Sequence, residues 1–302
     1  MSIILNMIPS ILMMVSPILI TSAGGMICER SGVVNIALEG LLQIGAFAAA
    51  STHVILEFSC GAFSPWIALV VGAFFGMVFS SIHAYAAISL KADQTISGTG
   101  INLLANGVTI FFSQVLFQAD RTKPYKVGIL PGPGGVYPTV YIALVVILAV
   151  WFLLYKTAFG LRLRACGEHP SAAASVGVNV IKMRYFAVLA SGLLAGLAGG
   201  CLVLTETIQY TSTTINGTGF IALAAVSFGR WRPIGISLSS LLFGAAVAFS
   251  IYVVNIPTLK NALPAEFFSL LPYVITLLAL VVFSGKNYAP ASAGKPYEKT
   301  GS

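Results

Sequence analysis

The sequence predicts an all-α polytopic membrane protein of about nine membrane segments, some of them interrupted or half-length. Three observations carry this. Only 8% of the 302 residues are charged and 57% are hydrophobic, against roughly 25% charge in a soluble domain. Cutting the chain at every Asp, Glu, Lys and Arg leaves nine charge-free windows of 17 or more residues: 1–28, 40–56, 58–90, 94–119, 127–155, 185–205, 207–229, 233–259 and 267–285. Each approaches the ~20 residues that cross the hydrocarbon as a helix. If the windows are consecutive spans, Arg30, Lys91, Lys156, Arg162, Arg164, Lys182, Arg184, Arg230, Arg232, Lys286, Lys295 and Lys299 fall on one side, and Arg121, Lys123, Lys126 and Lys260 on the other. The positive-inside rule makes the first group cytoplasmic. Residues 1–285 then form the transmembrane domain, and 286–302 a short polar cytoplasmic tail.

The net charge of +7 does not point to nucleic acid, because the basic residues are scattered between apolar windows rather than gathered on one aromatic-studded surface. Membrane lipid is the expected surrounding. The first window has no positive residue before Arg30, so it lacks the basic start of a cleaved signal and reads as a span. The segment 28–40 opens polar (Cys28-Glu29-Arg30-Ser31-Gly32) and runs straight into apolar sequence. Glu39 is its intramembrane acid, one turn from Asn35 on the same helical face. Ionisable groups at membrane depth are costly and default to function; the competing reading has Glu39 hydrated at the interface or paired with Arg30. Glu29, Asp93, Glu206 and Glu266 lie at window ends and are expected to be solvated.

Glycines at 72/76 and at 192/196/200 give small-xxx-small faces for close helix packing. Window 94–119 carries Thr95, Thr99, Asn102, Asn106, Thr109 and Ser113, spaced 4, 3, 4, 3, 4 along one helical face. Such a stripe is either hydrogen-bonding glue between helices or the lining of a path for a polar solute. Its lack of charge favours a neutral one. His53 and His83 are lone histidines, expected to be satisfied structurally. Cys28, Cys60, Cys166 and Cys201 form no C-x-x-C pair, and H-E-x-x-H is absent, so neither a metal site nor a catalytic one is expected.

The loop 156–184 is the longest cytoplasmic one. Gly167 and Pro170 bracket Glu168 and His169, and the alanine-rich stretch that follows closes at Gly177. A short helix starting near Pro170 is expected, since proline is tolerated in a first turn. It is either an interfacial helix held by headgroups or a docking surface for a cytoplasmic motor. Window 207–229 is apolar only from about Ile215 to Phe228 and contains Asn216-Gly217-Thr218-Gly219, the pattern of a broken segment that must line a cavity or be covered by protein. Gly32-Val-Val-Asn-Ile-Ala-Leu38 and Gly217-Thr-Gly-Phe-Ile-Ala-Leu223 share Gly, Ile, Ala and Leu at an offset of 185 residues. Lying in windows two and seven, they would run oppositely and suggest an inverted repeat, although Gly98-Thr-Gly100 resembles Gly217-Thr-Gly219 equally well.

Four stretches, in order, carry a family resemblance: Glu29-Arg-Ser-Gly-Val-Val-Asn-Ile-Ala-Leu-Glu-Gly40, Ser97-Gly-Thr-Gly-Ile-Asn-Leu-Leu104, Gly160-Leu-Arg-Leu-Arg-Ala-Cys-Gly-Glu-His-Pro170 and Ser191-Gly-Leu-Leu-Ala-Gly-Leu-Ala-Gly199. Over about residues 20–250 the chain resembles permease subunits of ABC importers of the ribose and branched-chain amino acid type. The Glu-Arg-Ser-Gly-Val-Val-Asn-Ile form looks most like the nucleoside-importer subgroup. The resemblance implies that Gly167, Glu168, His169, Pro170, Ala172 and Ala173 belong to a coupling helix seated on a cytoplasmic ABC ATPase. It further implies a second permease, usually a different chain, an extracytoplasmic substrate-binding protein, and a place in the bacterial inner membrane. Asn35, Glu39, Thr99, Asn102, Asn106 and Thr109 are the expected pathway residues. Sugar importers of the family would show Gly-Gly-x-Asp-Leu-Ser-x-Gly where Arg30 to Glu39 stands, so the departure argues against ribose. The chain has no G-x-x-x-x-G-K-[ST] of its own; no cofactor is expected in it, and ATP would bind the partner. Riboflavin or a simple sugar is the alternative cargo, and an ion-coupled secondary transporter the alternative class.

Overall fold

The computed structural model describes residues 2–253, 270, 274–275 and 288–298. Among them the chain is helical with no strand beyond an isolated Arg121–Thr211 bridge. Its helices are α1 (Ser2–Arg30), α2 (Leu38–Cys60), α3 (Ser64–Ala84), α4 (Gln94–Phe117), α5 (Pro138–Lys156), α6 (Ala158–Glu168), α7 (Pro170–Ser175), α8 (Val180–Glu206), α9 (Thr218–Phe228) and α10 (Pro233–Val253). Among the described residues six helical stretches are long and apolar enough to cross a membrane. The second of them, Leu38–Ser89, would be roughly 78 Å long if straight. It instead folds into a hairpin of α2 and α3, reversing at Gly61, whose φ of +49° suits the turn. His53 of α2 bonds Ser64 of α3 across it at 2.9 Å.

The nine expected windows are reproduced only in part. Window 127–155 becomes helical at Pro138, window 207–229 holds the 11-residue α9, and window 267–285 lies almost wholly outside the described residues. Gly32 and Gly217, which align in the suggested repeat, both have left-handed φ (+93° and +83°). Helix follows directly only after Gly217; after Gly32 the chain stays irregular until Leu38.

The centre of the molecule is α2, α3 and α8, held backbone to backbone. A methyl group on Gly45 would overlap Gly196, one on Gly76 would overlap Gly192, and one on Gly199 would overlap the Leu42 carbonyl. The glycine spacing read from the sequence is therefore packing. α1 runs antiparallel to α8, with Gly24 against Ser191 and Leu194. α4 stands outside, joined to α2 and α3 by a narrow buried stripe of Gln94, Gly98, Ile101, Ala105, Thr109 and Ser113. Its other faces are exposed, including Ile96, Leu103 and Phe111. Asp93 starts it as an N-cap, its Oδ1 accepting the Thr95 and Ile96 N–H groups at 2.8 and 2.9 Å.

Two ends result. One gathers Arg30, Glu168, Arg184 and Trp231 with the segment Tyr288–Glu298; the other gathers Glu57, Lys126 and the last turn of α8.

Candidate functional site: a broken-helix joint and a polar platform

Two stretches of backbone interrupt the bundle, 31–37 before α2 and 207–217 before α9. Without water, irregular backbone inside a membrane protein must find protein partners. Side chains of α3, α4 and α8 supply them for the first stretch. Gln94 Oε1 accepts from the Val34 N–H at 2.7 Å, and the His83 ring meets the Val34 carbonyl at 3.2 Å. Asn102 donates to the Ile36 carbonyl at 3.0 Å and accepts from the Gly40 N–H at 2.8 Å. Asn35 is fully buried, donates to Ser191 Oγ at 2.9 Å and accepts from the Ala37 N–H at 3.1 Å.

Glu39 joins the two interruptions. Its carboxylate accepts the Gly217 N–H at 2.7 Å through Oε1 and the Gly219 N–H at 2.6 Å through Oε2. These are orphan donors at the start of α9, where the helix dipole also favours an anion. Gly219 has no room for a side chain, since a Cβ would lie 2.5 Å from the Glu39 backbone. The pairing of Glu39 with Arg30 considered from the sequence does not form; Arg30 is engaged elsewhere.

The polar stripe of α4 divides. Asn102 and Thr109 face the bundle; Thr109 is buried and bonds the Asn106 carbonyl at 3.1 Å. Asn106 accepts from Gln43 at 3.2 Å yet stays exposed, as does Thr99, whose hydroxyl bonds back to the Thr95 carbonyl. Tyr210, from the second interruption, lies beside Gln43 and Thr109 with its ring 5.5 Å from Phe47. The structure thus brings Asn35, Glu39 and Asn102 together around the start of α2, and leaves Asn106 and Thr99 on an open face.

At the polar end, α6 is capped by Thr157, whose Oγ1 accepts the Gly160 N–H at 3.0 Å. Helix α7 begins at Pro170 and is followed by Gly177 at φ +83°, as its sequence indicates. His169 and Ala172 are exposed and Pro170 is half-buried. Gly167 and Ala173, expected in the same surface, face inward. Gly167 lies against the Arg30 backbone, and Ala173 is 4% exposed in a cluster with Cys166 and Val180. They shape the platform from beneath. Val176, 78% exposed, stands out from it instead.

Glu168 is 3.6 Å from Arg30 Nη1. Arg30 in turn donates twice to the Trp231 carbonyl, at 3.1 and 2.9 Å. The Trp231 indole donates to Glu29 at 2.5 Å. Glu29 is 6% exposed, which corrects the expectation that it is solvated: α1 continues without a break to Arg30, so Glu29 stays on a face covered by the α9–α10 turn. Glu206 also departs from that expectation, with Oε1 buried and unpartnered among the described residues; Asp93 agrees with it, and Glu266 lies outside the described residues. Trp231 and Arg230 have φ of +52° and +54°, a conformation that costs roughly 1–2 kcal/mol per residue; the bonds to Trp231 hold the turn there. Nothing in Gly229-Arg-Trp-Arg-Pro233 signals this from sequence. Among the described residues no group of three or more His, Cys, Asp and Glu side chains is placed to hold a metal ion.

The sequence model of the family described as branched-chain amino acid transport system, permease component, matches residues 7–280. The guanosine ABC transporter permease protein NupQ of Bacillus subtilis is 43% identical, over 97% of this chain and 96% of its own. The nucleoside ABC transporter permease protein NupC of Lactococcus lactis is 39% identical, over 94% of each. The guanosine ABC transporter permease protein NupP, also of Bacillus subtilis, is 25% identical over 91% of this chain and 80% of its own.

Proposed function

The chain belongs to the permease family of branched-chain amino acid transport systems, and from that premise we propose that it forms one half of the membrane path of an ATP-driven nucleoside importer. It is a multi-pass membrane permease and not an enzyme. The observation that carries the cargo is its 43% and 39% identity, over nearly the whole chain, to permease proteins named for guanosine and for nucleosides. A neutral polar solute suits the uncharged exposed face of α4, where Thr99 and Asn106 would meet it. Asn35, Glu39, Asn102 and Thr109 shape the path from behind by fixing where α2, α4 and α9 begin or meet. An ion-coupled carrier is less well served, because both Glu39 oxygens already hold backbone N–H groups.

The partners follow the same reading: a cytoplasmic ABC ATPase that binds ATP, an extracytoplasmic binding protein, and a second, different permease. The likeness of the chain to both NupQ and NupP, two guanosine permease proteins of one organism at 43% and 25% identity to it, supports a heterodimer. Residues 1–285 form the transmembrane domain, and the platform of loop 156–184 and the tail 286–302 face the cytoplasm of a bacterial cell, as the positive-inside rule requires. The opposed directions of α2 and α9, which start side by side and run to opposite ends, suit an inverted repeat.

Coupling then has a physical route. The ATPase presses on His169, Pro170 and Ala172; Glu168 passes the displacement to Arg30, Arg30 to the Trp231 carbonyl, and α9 to Glu39 at membrane depth. The test is reconstitution with the partner subunits, measuring ATP hydrolysis and guanosine uptake for the wild type and Glu168→Lys. The reading expects uptake that requires ATP, and a variant that hydrolyses ATP with uptake reduced at least tenfold. Wild-type uptake by the variant would refute the route, and uptake indifferent to ATP would refute the class.

A further inference from the structure

The coupling platform has a component that comes from far along the chain. The segment Tyr288–Glu298 lies across α6, α7 and the start of α8. The Ser292 N–H donates to the Gly167 carbonyl at 2.9 Å, and its hydroxyl donates to the same oxygen at 2.5 Å, with the Cys166 carbonyl at 3.2 Å. The Ala291 N–H donates to Glu168 Oε2 at 3.3 Å. Tyr297 packs against the cluster of Cys166, Ala173 and Val180. Lys91 pairs with Glu298 at 3.3 Å, and Arg230 stacks 4.4 Å over the Tyr288 ring.

Arg184 fastens this segment from below. It is 1% exposed, and its Nη1 donates to the Lys295 carbonyl at 3.0 Å. Its Nε and Nη2 have no acceptor among the described residues, and no carboxylate pairs with it there. The segment therefore supplies the described acceptor of a buried guanidinium, and a buried charge left without one is heavily penalised. Loose chain laid on a surface would not be held by a buried arginine and by paired bonds to one carbonyl.

We propose that Tyr288–Glu298 is a strap built into the coupling platform, with Ser292 and Arg184 as positioning residues that hold Gly167 and Glu168 where the ATPase meets them. The proposal rests on the importer reading given above. Glu168 is held through both oxygens, Oε1 by Arg30 and Oε2 by the strap. With the strap in place the loop moves as one piece with α1; with the strap released, α7 yields under the motor and the stroke is lost before it reaches Arg30.

The experiment uses the full complex in proteoliposomes and compares wild type, Ser292→Pro, Ser292→Ala and Tyr297→Ala. Ser292→Pro removes both bonds to Gly167, Ser292→Ala keeps the backbone one, and Tyr297→Ala removes the apolar anchor over Cys166, Ala173 and Val180 while both Ser292 bonds stay. Two readouts are taken: ATP hydrolysed per guanosine imported, and maleimide labelling of Cys166, which is buried in this structure. The expected result is faster Cys166 labelling together with a several-fold rise in ATP spent per solute, largest for Ser292→Pro and smallest for Ser292→Ala. Faster labelling at a wild-type ratio would overturn the proposal, as would labelling unchanged in both Ser292→Pro and Tyr297→Ala. If Ser292→Pro does not accumulate, Tyr297→Ala decides by the same two readouts. Labelling needs no cargo, so a wild-type complex that imports no guanosine would refute the importer reading separately from the strap.

Discussion

Replacing Glu39 by Gln tests the joint between α2 and α9. The carboxylate accepts two N–H groups at 2.7 and 2.6 Å, and the amide keeps one oxygen to do so. One donor loses its acceptor, and the other exchanges a charged partner for a neutral one. Hydrogen bonds to charged groups contribute about 1.5–3 kcal/mol and neutral ones about 1, so the two changes sum to roughly 3 kcal/mol. Removing the anion from the start of a helix adds about 0.5 kcal/mol. Relief from holding a charge in a half-buried site offsets part of this, leaving about 2–3 kcal/mol. At about 1.4 kcal/mol per tenfold, that is roughly a 30- to 150-fold shift toward an undocked α9. The assay is guanosine uptake by the reconstituted complex beside the thermal midpoint of the purified permease in detergent. Uptake falling at least tenfold, with a lower midpoint and the ATPase still bound, is expected; Glu39→Asp, which keeps the charge on a shorter arm, falls between. A Glu39→Gln protein that melts and transports like wild type would refute the argument.

Other substitutions separate parts of the structure. Trp231→Phe keeps the ring and loses the indole donor to buried Glu29, and should lower stability by about 1–3 kcal/mol, read as a lower midpoint. Asn102→Ala releases the Ile36 carbonyl and the Gly40 N–H together, so a loss of similar size is expected, larger than for Thr99→Ala on the exposed face. Gly196→Ala places a methyl group against Gly72 and Gly76 and should exceed the ~1–3 kcal/mol of an ordinary overpacked core, seen as failure to accumulate in membranes. Burial pushes the Cys166 thiol above its ordinary range, against the opposing charge of Arg184. Its thiolate therefore forms at higher pH than that of a free cysteine, and maleimide labelling of folded protein should stay slow near pH 7 and quicken in alkaline buffer.

Local signals were legible in the sequence, and long-range ones were not. Pro170 with Gly177 framed α7, because breakers act within a few residues; the N-cap role of Asp93 emerged only from the structure. Among the described residues Arg30, Lys91, Arg184 and Arg230 gather at one end and Lys126 at the other, which agrees with their grouping by charge parity. The burial of Glu29 was hidden because its partner Trp231 stands 202 residues away, and a charge beside a window looks the same whether water or an indole meets it. Ala173 was read as surface because the six-residue α7 gives too little periodicity to tell its faces apart, and Gly167, near the end of α6, because its contact with the Arg30 backbone is long-range. The stripe on α4 was seen correctly as a stripe. Its division into Asn102 facing inward and Asn106 facing outward depended on where α2 begins, which the unbroken apolar run after Ser31 does not disclose.

The glycine contacts at the centre limit how this protein can change shape. Where two backbones touch directly, no side chain can swing to let them slide, and any intermediate position is a collision. The bundle of α2, α3 and α8 must then travel as a single block. Rearrangement falls to the elements outside that block: α4, joined by its narrow stripe, and α9, which packs against α1 and α10 and is tied by the Glu39 carboxylate at one end and the Trp231 carbonyl at the other. Spin labels on α2 and α8 should accordingly keep one separation through the ATP cycle, while a pair on α2 and α9 changes. Evolution of a new cargo can proceed along the exposed faces of α4 at less cost than in the central block, which admits almost no substitution.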